Sequence, residues 1–151
     1  MSHDTSFSVL KELIENQHLF SEALRQLKSG REIKVLIDGQ HECALFFSQE
    51  HAILDDRPAK NPDVEFTIST EALRLLQSLK YSSLAELGVE IVKQIIVGNI
   101  QLRVCTGLLA ILNGGYFKII KLAGPEFMGF LAQNGLKNLN KIKSLVNTLR
   151  K

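Results

Sequence analysis

Pro62-Asp63-Val64-Glu65-Phe66-Thr67-Ile68-Ser69-Thr70-Glu71-Ala72-Leu73-Arg74-Leu75-Leu76 changes its period in the middle. Val64, Phe66 and Ile68 alternate with Glu65 and Thr67, the two-residue period of a half-buried strand. From Ser69-Thr70 onward Leu73, Leu75, Leu76 and Leu79 recur at helical spacing, and Glu71 stands where a helix N-terminus favours negative charge. The junction therefore predicts a strand that runs directly into a leucine-rich helix.

Upstream the period is also two. Ile33, Val35 and Ile37 share one strand face, Asp38-Gly39 offers the positive φ angles of a tight hairpin, and Cys43 to Phe47 resumes an apolar run. Ala52 to Leu54 predicts a third short strand, and a polar loop from Asp55 to Asp63 leads into the fourth at Val64 to Ile68. The expectation is an antiparallel meander with one apolar face. Before it, Phe7, Leu10, Leu13, Ile14, Phe20, Leu24 and Leu27 mark one amphipathic helix stopped at Gly30.

Downstream, Ser83 with Glu86 three residues later is a capping-box pattern for a short helix that Gly88 ends. Val89 to Val97, rich in β-branched residues, predicts a fifth strand. Asn99 then predicts an N-cap for a helix through Leu102, Cys105, Leu108, Leu109 and Leu112, stopped by Asn113-Gly114. A hairpin over 108–120 competes with that helix, because Asn-Gly between apolar runs is a strong hairpin signal. Pro125, Glu126 and Gly135 bracket a further helix. Leu136, Leu139, Ile142, Leu145, Val146 and Leu149 form one face of a closing helix.

The strand and cap at Pro62 to Ser69, followed by the leucine-rich helix, resemble the sterol carrier protein type 2 family. The meander at Arg31 to Leu54 and the segment Lys93 to Leu112, with Gly98-Asn99 where the family carries Gly-Asp, extend the resemblance to about residues 8–113. The layout is most similar to bacterial stand-alone members, including accessory lipid-binding proteins of quinone biosynthesis. The resemblance implies an α+β fold: a five-stranded, mostly antiparallel sheet covered by helices, with extra C-terminal helices over about 114–151 in a single domain of residues 1–151. It also implies a non-catalytic role, the binding or transfer of a sterol, fatty acyl chain or isoprenoid in an internal tunnel. The alternative is an assembly subunit of the same fold whose tunnel is filled and which docks a protein partner.

Composition agrees with a globular chain: 45% hydrophobic and 23% charged residues over 151 positions, enough to build a core without staples. The net charge of +2 conceals an asymmetry, since residues 1–90 carry nine Lys or Arg against fifteen Asp or Glu, and residues 91–151 carry nine against one. Two distant cysteines, Cys43 and Cys105, suggest no disulfide framework. The polar N-terminus lacks a basic segment followed by an apolar one, which predicts a cytoplasmic protein, peripheral at a membrane at most.

Catalytic and metal patterns are sparse. His41, Cys43 and His51 surround one hairpin but lack metal spacing, Asp55-Asp56 with Asp63 lacks the calcium-loop spacing, and Gly114-Gly115 lacks a phosphate-loop lysine. We expect no enzyme, metal or cofactor. Nucleic acid is disfavoured because no aromatic residue stands between the C-terminal lysines.

The ligand-lining residues expected from this reading are Phe46, Phe66, Leu76, Leu108, Leu112, Tyr116, Phe117, Phe127 and Phe130. The helices at Thr70 to Lys80 and Ile100 to Asn113 would wall the tunnel. Lys137, Lys141, Lys143, Arg150 and Lys151 would face an anionic membrane, with Pro125 to Lys151 as a basic lid.

Overall fold

The computed structural model describes residues 3–107 and 113–134. Among these, helices α1 (His3–Asn16) and α2 (His18–Leu24) precede strands β1 (Ile33–Ile37), β2 (His41–Ser48), β3 (His51–Asp55) and β4 (Val64–Ile68). Helices α3 (Thr70–Ser78) and α4 (Leu84–Val97), strand β5 (Ile100–Val104) and helices α5 (Tyr116–Ala123) and α6 (Pro125–Asn134) follow.

The sheet order is β3-β2-β1-β4-β5. β1–β2, β2–β3 and β4–β5 are antiparallel, whereas β4 returns across the sheet to pair with β1 in parallel, Val35 opposite Phe66 and Ile37 opposite Ile68. The α+β class and the mostly antiparallel five-stranded sheet are thus as expected, but the fourth strand does not extend a meander. The hairpin turn at Asp38-Gly39 carries the anticipated positive φ angles (53° and 72°), and the turn between β2 and β3 has them too, at Gln49-Glu50 (50° and 69°).

Register assigns each strand's two faces. Ile33, Val35, Ile37, Cys43, Leu45, Leu54, Val64, Ile68, Ile100 and Val104 turn inward and form one core with Leu10 and Ile14 of α1, Leu19 and Leu24 of α2, Leu73 and Leu76 of α3 and Leu87 of α4. The helices therefore cover one face. On the opposite face Lys34 bridges Glu42 at 3.7 Å and Glu65 at 3.2 Å, and Glu65 meets Arg103 at 3.7 Å. The polar loop after β3 folds onto this second face: the Arg57 guanidinium lies 5.2 Å from the Phe46 ring centroid and grips Glu32 through two hydrogen bonds of 2.9 and 3.0 Å. Lys60 N–H also donates to Glu32, and Ala59 N–H to Glu42.

The edge strand β3 is closed by side chains. Ala52 N–H donates to Ser21 Oγ, Leu54 N–H donates to Glu15 Oε2, and Leu54 C=O accepts from Lys11 Nζ. These contacts satisfy backbone groups that would otherwise recruit another strand.

Five sequence expectations are corrected. The opening helix is two, broken at Gln17, whose extended ψ of 106° ends one helical run before the next begins. Val89 to Val97 is not a strand but the body of α4: Leu84, Leu87, Ile91 and Ile95 pack at helical spacing on the core. The period was hidden because Val89, Val92, Ile96 and Val97 make the other face apolar too. Gly88 lies inside that helix, which ends instead at Gly98 with φ 90°. Asn99 caps no helix; its side-chain amide and backbone N–H both turn back to Gln94, its C=O accepts from Ser69 N–H, and residues 100–104 form β5. The hairpin reading over 108–120 fails at its second half, where Tyr116–Ala123 is helical; residues 108–112 lie outside the described set, as does the expected closing helix.

Ser6 is fully buried in α1 with no partner for its hydroxyl. An unpaired buried hydroxyl retains its desolvation cost, so Ser6→Ala is expected to raise unfolding free energy by about 1 kcal/mol in denaturant titration. A loss of stability would contradict it. Glu32 has its carboxyl held below the ordinary value of 4.5 chiefly by the Arg57 hydrogen bonds. A depressed folded pKa contributes stability that is present above the unfolded value and lost as pH falls through the folded one. Glu32→Gln should therefore lower stability at neutral pH and flatten the acid side of a thermal-unfolding pH profile.

Candidate functional site

Asp63, at the start of the strand motif Pro62 to Ser69, sits in a buried polar junction. Asp63 is almost wholly buried; its Oδ1 accepts from Arg31 Nη1 at 2.9 Å and its Oδ2 from the Tyr116 hydroxyl at 3.0 Å. Its backbone C=O accepts from Cys105 N–H. One residue thus ties the starts of β1 and β4, the end of β5 and the first residue of α5.

The turn before α5 is pressed against the chain that follows α2. Lys28 N–H donates to Gly114 C=O at 2.8 Å. Gly115 has φ 96°, and a Cβ there would stand 2.0 Å from Gln26 O, so no other residue fits. Burial first, then the Asp63 carboxylate, push the Tyr116 hydroxyl above its ordinary value of 10.0, so it remains a proton donor. With both carboxylate oxygens engaged, Asp63 is placed to hold structure rather than to move protons.

A second feature lies at the other end of α4. Leu79, Tyr81, Ala85 and Val89 floor a depression of about 220 Å³ whose rim carries Lys80, Glu86, Glu90 and Glu126. Glu86 is fixed by accepting from Ser82 N–H and Ser82 Oγ, both at 2.9 Å, while Ser83 Oγ accepts from Glu86 N–H as the helix cap. The Tyr81 hydroxyl donates to Leu76 C=O, and burial pushes it up to about 12. The floor therefore offers an aromatic ring and not a hydroxyl. Beside it the Phe127 ring closes on Gly88, where an added Cβ would meet Cε2 at 2.9 Å. Between α1 and the end of α3 a more polar hollow of about 280 Å³ is lined by Val9, Glu12, Leu13, Asn16, Gln17, Gln77 and Leu79.

The expected lining residues scatter. Leu76 belongs to the core, and Phe66 and Tyr116 pack against it. Phe46 lies on the opposite face of the sheet under Arg57, so it and Phe66 cannot line one tunnel. Phe127 is buried over α4 and Phe130 is half-buried. Leu108, Leu112, Lys137, Lys141, Lys143, Arg150 and Lys151 lie outside the described residues, as does the side chain of Phe117. The expected tunnel wall at Ile100 to Asn113 begins as a strand.

The hairpin constellation does not assemble. His41 stacks on Phe7 with ring centroids 5.6 Å apart and bonds Asp56 at 2.6 Å through Nε2, whereas His51 is exposed at the start of β3. Burial, then the carboxylates of Asp56 and Glu42, push the Cys43 thiol up to about 11, which leaves it a poor nucleophile. Among the described residues no cluster of three His, Cys, Asp or Glu side chains is placed to hold a metal, and no helix is long and apolar enough to cross a membrane.

Asp63 and Gly115 were both visible in the sequence, one in the strand motif and one in Gly114-Gly115, but their partners are remote. Asp63→Ala should cost about 3 kcal/mol, because it leaves the Arg31 charge without its buried partner. Tyr116→Phe should cost about 1.5 kcal/mol, the contribution of a hydrogen bond to a charged acceptor. Because the Tyr116 pKa is raised, its contribution is complete below pH 10 and lost as pH rises beyond it. Unfolding titrations at pH 7 and in alkali check both.

No protein-family model matches the chain, and no curated protein matches it. Among solved structures the chain is similar to one described as "UbiJ-SCP2 Ubiquinone synthesis protein", with 15% sequence identity, a TM-score of 0.42, and coverage of 77% of this chain and 90% of that one. A similarity of this extent says nothing about ligand, activity or partner.

Proposed function

We propose that the protein binds a lipid-like apolar molecule, a fatty acyl chain, sterol or isoprenoid, without catalysing a reaction on it. The observation that carries this reading is the depression floored by Leu79, Tyr81, Ala85 and Val89 against a helix, α4, whose apolar residues extend past its core-facing stripe. Ligand pockets commonly occupy about 300–1,000 Å³. At about 220 Å³ the depression takes one end of such a ligand. The remainder needs Phe127 to leave Gly88, a side-chain rotation that joins the depression to the α4–α6 interface.

The energetics suit a closed resting state. An empty apolar cavity costs about 24 cal/mol per Å³, so an open space of ~300 Å³ would cost about 7 kcal/mol, much of a domain's stability. A Phe127 ring that fills the space until a ligand displaces it avoids that cost. Each methylene then buried contributes about 0.8 kcal/mol, so a long chain binds without a specific polar partner. Transfer at a membrane surface, with the basic C-terminal residues facing anionic lipid, belongs to the same reading.

One observation favours a second reading. Ile37, Cys43, Leu54, Ala72 and Leu73 each have 0% exposure, so the sheet–helix interface is filled with side chains. A subunit with a filled interior would dock a protein instead, using exposed apolar residues such as Ile96 and Val97.

Native mass spectrometry after gentle purification separates the two. The apolar-ligand reading expects a non-covalent mass of a lipid; the filled-scaffold reading expects the bare chain. Phe127→Ala should lose about 3 kcal/mol of stability while binding a fluorescent fatty acid more tightly. If the variant is destabilised but binds no better, the site is not at α4–α6.

A further inference from the structure

We propose that the α5–α6 turn is a docking surface for an anionic phospholipid membrane. Two large apolar side chains stand in solvent on either side of Gly124: Leu122, 48% exposed in the last turn of α5, and Met128, 50% exposed in the first turn of α6. Gly124 has φ 92°, which joins the helices with no intervening loop to shield them. The exposed side of α5 that carries Leu122 also carries Lys118 and Lys121, both exposed, and α5 has no acidic residue.

The other side of the same helix is fixed. Tyr116 is bonded to Asp63, and Ile119 packs on the core, so α5 cannot roll to bury Leu122. Half-exposed apolar residues beside lysines on a short amphipathic helix match shallow insertion at the headgroup boundary. Charge gives the surface its direction. The excess of acid in residues 1–90 is repelled by an anionic leaflet, and the one acid beyond residue 90, Glu126, borders the depression on the α4 side. The sequence from 135 onward adds five cations and no acid.

This surface deepens the apolar-ligand reading, since a bilayer is where such a ligand is loaded and released, but its test needs no retained ligand. Cosedimentation of the full chain with vesicles of phosphatidylcholine, alone or mixed with phosphatidylglycerol, is the measurement. The full chain should bind the mixed vesicles, weaken with added salt, and ignore phosphatidylcholine alone.

Each cation near an anionic leaflet contributes roughly a fivefold gain, so Lys118→Gln with Lys121→Gln should weaken partition about 25-fold. Leu122→Gln with Met128→Gln should weaken it also at high salt, where only insertion remains. Thermal unfolding of both double variants should match the parent, which separates lost docking from lost fold. The proposal is overturned if either double variant partitions like the parent, if the full chain binds neither vesicle, or if only Lys137→Gln with Lys141→Gln and Lys143→Gln abolishes binding. A chain that retains a lipid in native mass spectrometry yet ignores vesicles refutes the docking surface alone; one that binds vesicles but carries and accepts no apolar molecule refutes the ligand reading alone.

Discussion

The buried carboxylate of Asp63 is the constraint on which the arrangement of the chain depends. An ionised carboxylate removed from water costs several kcal/mol unless each oxygen finds a donor. Here the two donors, Arg31 and Tyr116, come from 32 residues upstream and 53 residues downstream. Neither contact forms until β4 lies beside β1 and α5 has returned to the loop after α2. The parallel β1–β4 pairing, the end of β5 and the start of α5 are therefore coupled through one side chain. Gly115 completes the arrangement sterically by admitting Gln26 where any larger residue would collide.

Polar side chains perform a second task around the rest of the sheet. Lys11, Glu15 and Ser21 satisfy the free backbone of β3, while Glu32 and Glu42 hold the 55–63 loop over the second face. At β3 these side chains occupy hydrogen-bonding positions that another strand would otherwise take. The sheet's core face is thereby reserved for the helices, and the face beneath the loop is a lattice of alternating charge across β2, β1, β4 and β5.

Helix α4 connects this scaffold to the proposed function. Its Leu84, Leu87, Ile91 and Ile95 stripe is ordinary core packing. Its other side is also apolar, which is more than a single-faced surface helix requires. Val89 and Ala85 on that side floor the depression, and Gly88 admits the Phe127 ring. Under the proposed function the Phe127 ring would fill the space beside Gly88 until a ligand displaced it, and on that reading a well-packed interior and the binding of an apolar molecule are compatible.

By itself the sequence determined the α+β class, the two hairpin turns, the strand at Val64 to Ile68 with its Ser69 cap, and the start of α6 at Pro125. Each of these depends on neighbours within a few residues: a period, a positive-φ turn, a hydroxyl facing a helix end. Only tertiary structure decided that β4 pairs with β1 in parallel, that Val89 to Val97 is helix, that Asn99 leads into a strand, and that Phe46 and Phe66 face opposite sides of the sheet. A segment whose apolar residues spread well past one face has a blurred period, and its conformation is set by which surface buries it. The same is true of Asp63: its place in the motif was legible, but Arg31 and Tyr116 become its partners only when the sheet brings them within 3 Å.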